Sequence, residues 1–166
     1  MVLVDADTRE RTLSLALELS LGRGLWTALE DSAVGSDGFG LDAHLAPDAY
    51  TSLMILPQAD GASPTRELYG HSGLRPLLDA LKRRFDLVVL DCGPVGLVDG
   101  RMTAVQTDAT VVVVCWNATL VRHLAVTRHG LERLGGVVPG IIVNGVAETP
   151  VRRWLGDRQS DVSAAL

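Results

Sequence analysis

Asp5 and Asp7 follow the apolar run Val2-Leu3-Val4, and Asp91 follows Leu87-Val88-Val89-Leu90. Carboxylates placed directly after such runs sit at the carboxyl ends of strands, the edge where open α/β sheets bind their ligands. Oxygen donors suit a hard cation such as Mg²⁺, which keeps several waters and completes its shell with one or two carboxylates and phosphate oxygens. A carboxylate outside that shell can take a proton from an attacking hydroxyl. The competing reading is structural, an acid that caps a helix or accepts loop hydrogen bonds. Two strands ending in acids, one of them as Asp-x-Asp, favour the ligand reading. The sequence holds no Gly-x-x-x-x-Gly-Lys-Ser/Thr loop, however, and its one lysine is Lys82. The acids therefore read as a Mg²⁺ and phosphate site without its phosphate cradle.

The elements that must position these acids are apolar and β-branched. Val2 to Val4, Leu53 to Leu56, Leu87 to Leu90, Thr110 to Cys115 and Gly140 to Val143 are continuous apolar runs separated by helical stretches. Such runs predict strands buried on both faces, in a mostly parallel sheet with helices on both faces, an α/β architecture. Leu120, Leu124, Thr127, Leu131 and Leu134 lie at helical spacing, and Gly135-Gly136 supplies a stop. Leu74, Leu77, Leu78 and Leu81 predict a second helix after Ser72-Gly73, with Lys82-Arg83-Arg84 in its last turn, where positive charge suits the helix dipole. Leu13 to Leu21 alternates leucine with Ser, Ala and Glu, a strand period carried by helix-forming residues. A short helix from Thr12 to Leu17 is expected. The stretch Asp31 to Tyr50 has no apolar period and reads as a surface loop.

Composition limits the function classes. The 166 residues, 47% hydrophobic, are enough for one domain with a real core, 1–150, followed by a tail, 151–166, with one amphipathic turn around Trp154-Leu155. A net charge of −5 offers no basic footprint, so no nucleic-acid partner is expected. No apolar run approaches the ~20 residues that cross a bilayer, and no leader is evident, so a cytoplasmic protein is expected. Cys92 and Cys115 close strand-like runs and read as reduced structural thiols. Tyr50 and Tyr69 are the only tyrosines, and each reads first as a packing residue.

Taken together, the motifs resemble those of the bacterial tyrosine kinases (BY-kinases) of capsule and exopolysaccharide synthesis. Val2-Leu3-Val4-Asp5-Ala6-Asp7-Thr8-Arg9 resembles their second phosphate-site motif, Walker A′, and Gly24-Leu25 with Leu29 follows at the family's spacing. Met54-Ile55-Leu56-Pro57, Ser63-Pro64 and Glu67-Leu68 resemble the family's Leu-Pro-x-Gly and Asn-Pro-x-Glu-Leu stretch. Phe85 to Val95 resembles its Walker B run, and Val98-Asp99-Gly100 the Asp-Ala turn beyond it. Thr107-Asp108-Ala109-Thr110 resembles the entry to the next strand, and Gly140 to Asn144 the strand whose terminal Asn contacts adenine in the wider ParA/MinD-type group.

The resemblance implies a P-loop NTPase fold of the deviant Walker type, with ATP and Mg²⁺ as cofactors. It gives Asp5 a place near the attacking hydroxyl as base, Asp7 and Asp91 the Mg²⁺ shell, and Asn144 and Arg9 the nucleotide. The implied reaction is γ-phosphoryl transfer to tyrosine, largely a matter of positioning and charge stabilisation. The implied partners are the cytoplasmic part of a membrane polysaccharide co-polymerase or export protein, at the inner face of the membrane, and further copies of the chain in a homo-oligomer.

Departures from the family pattern qualify the activity. The family's P-loop strand and helix precede Walker A′, and this sequence starts at Walker A′, so the domain reads as N-terminally incomplete. The family's strand is central, and the gap it leaves would hold unpaired backbone groups at a cost of about 1–3 kcal/mol each. Such a gap would outweigh a typical stability of ~5–15 kcal/mol, so a chain that is marginally folded, completed by another polypeptide, or a shortened reading of a longer gene is expected. Without N–H groups and a lysine around the phosphates, the acids would mainly repel ATP. Gly93-Pro94 stands where the family has Pro-Pro, and the tail lacks tyrosine. Three functions follow: a kinase domain active once its phosphate loop is supplied, a non-catalytic adaptor for the export partner, or a MinD/ParA-type ATPase.

Overall fold

The computed structural model describes residues 1–19, 22–34, 40–58 and 67–147. Ser63-Pro64 and the expected turn around Trp154-Leu155 lie outside the described residues. Contacts divide the chain into two compact units, Met1–Gln106 and Thr107–Leu166.

The first unit is built on the strand that carries the first two acids. Val2–Ala6 (β1) lies between Met54–Leu56 (β3) and Val88–Cys92 (β4), parallel to both. A two-residue strand, Ala46–Pro47 (β2), pairs antiparallel with β3 and completes the order β2-β3-β1-β4. Side chains alternate across a strand, so Val2, Val4 and Ala6 share one face with Val88, Leu90 and Cys92. That face packs on Leu25–Ala33 (α2) and Leu74–Arg84 (α3).

Both helices present a stripe at helical spacing. Leu25, Ala28, Leu29 and Ser32 are buried on α2, and Leu74, Leu77, Leu78 and Leu81 on α3. Each buried leucine of α3 contributes roughly 1.5–3 kcal/mol. The α3 boundaries and its basic last turn agree with the sequence pattern. The two helices meet at Gly73. A Cβ there would stand 1.9 Å from the Leu29 carbonyl oxygen, and the Ser32 hydroxyl donates to the Gly73 carbonyl at 2.8 Å. On the other side of α2 a 3-10 turn, Leu41–His44, sets the buried His44 ring between Asp31 (3.1 Å) and Thr27 (3.0 Å). Burial pushes the His44 pKa below its ordinary value, ahead of the opposing pull of Asp31.

The alternating leucine segment forms the expected short helix, Thr12–Ala16 (α1), but its leucines are not what it buries. Leu15 is 64% exposed, whereas Ser14 is buried. Arg11 and Glu18, at φ 53° and 52°, occupy the left-handed region on either side and confine the helix to little more than one turn. Val98–Ala104 (α4) follows β4.

In the second unit Val111–Cys115 (β5) and Gly140–Asn144 (β6) pair in parallel around Val121–Arg133 (α5). The Gly135-Gly136 stop is a Schellman turn: Gly135, at φ 89°, donates to the Glu132 carbonyl at 3.0 Å, and Gly136 donates to that of Leu131 at 2.9 Å.

All five expected strands form, but burial on both faces holds only for β1 and β3. β4 pairs with β1 alone, so it is an edge, and Leu87, Val89 and Asp91 remain exposed opposite its packed face. In the two-stranded β5–β6 sheet Val112 is buried, whereas Val111, Val113 and Ile142 are exposed. A continuous apolar run reports which residues can be covered, and pairing decides how many are. Tyr50 also departs from the packing expectation and is 95% exposed. Both cysteines are free; Cys115 is exposed, and the half-buried Cys92 thiol is pushed up to about 12 by burial and by the charges of Asp91, Asp99 and Asp7. Among the described residues no helix is long and apolar enough to cross a membrane.

Candidate functional site

The parallel register sets Asp5 of β1 directly beside Asp91 of β4, on the sheet face opposite α2 and α3. Their environments differ. Asp5 is 0% exposed and both oxygens of its carboxylate accept hydrogen bonds: Oδ1 accepts from the Asp7 N–H at 3.3 Å, and Oδ2 accepts from the Ser14 N–H at 2.9 Å and the Ser14 hydroxyl at 2.5 Å. The Gln58 N–H donates to Ser14 Oγ at 2.9 Å, and Gln58 Nε2 donates to the Asp5 carbonyl at 2.9 Å. One carboxylate thus joins the end of β1 to α1 and to the chain leaving β3. The Gln58 Oε1 atom is buried without a partner among the described residues.

Asp7 lies one step beyond the strand. Its Oδ1 accepts from the Arg9 N–H at 3.2 Å and the Glu10 N–H at 3.3 Å, which closes the turn after β1. The carboxylate lies against Gly93, where a Cβ would come within 2.9 Å of Oδ1. The residue that replaces the family's first proline is therefore what lets Asp7 approach the turn after β4. Gly100 packs as closely, its own Cβ position being 2.6 Å from the Gly93 carbonyl oxygen. Next to it, Asp99 accepts from the Leu68 N–H at 2.8 Å, the Tyr69 N–H at 3.1 Å and the Thr8 hydroxyl at 3.1 Å. It ties the loop after Asp7 to the 67–69 segment and to α4.

Asp91 is the exposed member of the group. Desolvation first, then the charges of Asp5 and Asp7, push its pKa above the ordinary carboxylate value. The folded chain thus holds a proton that the unfolded chain has lost in the window just above 3.8. Stability falls as pH rises through that window and stays lower at neutral pH. Asp91→Asn is expected to raise the melting temperature modestly at pH 7, because solvent screens the group, and to lose that advantage below about pH 4. Melting curves of both proteins across this range check it, and equal melting temperatures at pH 7 would mean that the carboxylate feels no net repulsion.

Three of the expected site residues are therefore brought together: Asp5, Asp7 and Asp91. Arg9 is exposed and joins them through its backbone N–H. Asn144 ends β6 in the second unit, in register with Cys115, and its Oδ1 accepts from the Gly145 N–H at 2.8 Å. Among the described residues no three His, Cys, Asp or Glu side chains converge closely enough to hold a metal by themselves. Two carboxylates, one of them destabilised by its neighbours, fit a Mg²⁺ shell made mostly of water and phosphate oxygen, and do not fit an all-protein cage. Sequence reasoning assigned no role to Ser14, Gln58 or Asp99. The one available signal for Ser14 was a small polar residue among alternating leucines.

No family model matches the chain. It is 25% identical over 150 residues to the tyrosine-protein kinase CpsD of Streptococcus agalactiae, covering 89% of this chain and 62% of that protein. It is 30% identical over 148 residues to the succinoglycan biosynthesis transport protein ExoP of Rhizobium meliloti, covering 86% of this chain and 18% of ExoP. The chain thus spans less than two thirds of these curated relatives. Among solved structures, the kinase domain of VpsO aligns with a TM-score of 0.73 at 23% identity, over 88% of this chain and 70% of that one. The cell division ATPase MinD of Pyrococcus furiosus aligns with a TM-score of 0.62 at 20% identity, over 89% and 61%. These likenesses each cover more than four fifths of the chain, and they make it a relative of the bacterial tyrosine kinases within the wider group of MinD-like P-loop folds.

Proposed function

We propose that the chain is a BY-kinase-like domain of capsular or exopolysaccharide biosynthesis in which Asp7 and Asp91 hold the Mg²⁺ of a bound ATP. The observation that carries this reading is the set of acids at adjacent parallel strand ends, with Asp91 held against like charge. Clustered acids with a raised pKa mark sites that a cation relieves. Mg²⁺ would neutralise the developing charge on the transferred phosphoryl group, while Arg9 would meet the nucleotide. The backbone N–H groups and lysine of a phosphate loop are absent from residues 1–166, so ATP is held only when another segment or polypeptide supplies them.

The geometry at Asp5 favours a second reading, a non-catalytic adaptor. Both of its oxygens already accept hydrogen bonds and the residue is 0% exposed, so the carboxylate is not open to a tyrosine hydroxyl. In that role the chain would act through the cytoplasmic part of a membrane polysaccharide export protein, a partner suggested by the name of ExoP.

Titration with Mn²⁺ as a Mg²⁺ surrogate, followed by water-proton relaxation, is expected to find one weak, millimolar site, as two carboxylates without phosphate allow. Asp7→Asn and Asp91→Asn should each remove it, and ATP should tighten it only when a phosphate-loop segment is co-expressed. Mn²⁺ binding unchanged in the double variant would sink the cation role. Tight ATP binding by the chain alone would overturn the need for an added cradle.

A further inference from the structure

We propose that Tyr50 is a phosphorylation site, modified in trans by a protein-tyrosine kinase of the bacterial type. This holds whether or not the chain itself binds nucleotide, because the donor enzyme is a separate molecule.

Tyr50 lies in the connection between β2 and β3, residues 48–53, at the tip of the one antiparallel pair in the described sheets. At 95% it is the most exposed large hydrophobic side chain of the described residues. An acceptor hydroxyl has to enter a kinase cleft and reach the γ-phosphate within near-attack distance, about 3–3.5 Å. Only a ring that projects free of its own fold can do so.

The turn supports that projection without using the ring. The Asp48 N–H donates to the Leu53 carbonyl at 2.9 Å and closes the base of the connection. Asp48 Oδ2 accepts from the Tyr50 N–H at 3.2 Å and the Thr51 hydroxyl at 2.6 Å, and the Leu53 N–H donates to Thr51 Oγ1 at 3.2 Å. The Thr51 hydroxyl is the main reason that the Asp48 carboxyl lies below its ordinary pKa. Asp48 and Thr51 therefore set the backbone, and among the described residues no hydrogen bond engages the phenol. A phosphate added at Oη breaks nothing that holds the hairpin.

The other tyrosine provides the internal control. Tyr69 is half-buried, and its backbone N–H is bound to Asp99, whose carboxylate also holds Leu68 and Thr8. To present its ring to a kinase it would have to leave that network.

In the reaction Tyr50 Oη attacks the γ-phosphorus of ATP. The Oη–P bond forms as the bond to the β-phosphate oxygen breaks, ADP departs, and the phenolic proton passes to the kinase's base. The product carries about −1.5 to −2 additional charge and three strong acceptors. Its phosphotyrosine stands on a projecting hairpin beside Asp48.

The test uses the folded chain, the purified kinase domain of Escherichia coli tyrosine kinase ETK and Mg-ATP, with phosphate located by mass spectrometry. Incorporation should approach one phosphate per chain at Tyr50. Tyr50→Phe should lose at least tenfold of it with an unchanged melting temperature, and Tyr69→Phe should keep it. A folded wild-type chain that takes up no phosphate overturns the proposal, as does wild-type labelling of Tyr50→Phe.

Discussion

Asp5→Ala is expected to destabilise the first unit by about 3–5 kcal/mol, a large share of a typical domain's ~5–15 kcal/mol. The substitution removes the acceptor of three buried donors: the Asp7 N–H, the Ser14 N–H and the Ser14 hydroxyl. A buried donor left without its acceptor loses its full desolvation energy, and these three are bound to one carboxylate. Gln58 is drawn in as well, since its N–H rests on Ser14 Oγ and its side chain on the Asp5 carbonyl. Asp5→Asn, which retains one acceptor oxygen but turns an NH₂ toward a donor, should fall between wild type and Asp5→Ala. Thermal and urea melts followed by circular dichroism measure this. An Asp5→Ala protein as stable as wild type would mean that the carboxylate is structurally idle and would restore it as a free base.

Gly73→Ala should cost about 3 kcal/mol or more through overpacking, although it adds a single methyl group. The new Cβ would stand 1.9 Å from the Leu29 carbonyl oxygen and 2.6 Å from Ser32 Oγ, and backbone cannot rotate aside as a flexible side-chain end can. α2 and α3 would have to separate, loosening Leu29, Leu74 and Leu77 together. Gly70→Ala meets nothing within 4 Å and serves as the control. A melting temperature within a degree of wild type for Gly73→Ala would show that the two helices are free to shift.

The legible parts of the fold were those governed by local rules. The α3 stripe, its basic last turn and the Gly135-Gly136 stop lie at fixed spacings along one helix, so the residues that specify them are sequence neighbours. The strand runs and their terminal acids were legible for the same reason. Misleading signals arose where burial depends on a distant partner. Leu13 and Leu15 suggested an apolar face, yet Ser14 is the residue drawn inside, because Asp5 lies above it. β4 carries an apolar run suited to a central strand but has one neighbour, so alternate residues stay in solvent. Tyr50 read as a packing residue because tyrosine usually is one, and a hairpin tip leaves it nothing to pack against.

The sequence by itself determined that acids stand at the ends of two parallel strands and that no phosphate loop accompanies them, since both are statements about residue types at fixed positions. Tertiary structure alone decided how the acids divide their work. The register of β1 on β4 brought Asp5 beside Asp91, and α1 then covered one and left the other in water. Identical carboxylates therefore differ in role, one a buried acceptor that binds three segments together and the other an exposed charge raised in pKa by desolvation first and then by its acidic neighbours. Desolvation and hydrogen bonding are set by what packs above a residue, and that is decided by residues far away in the chain.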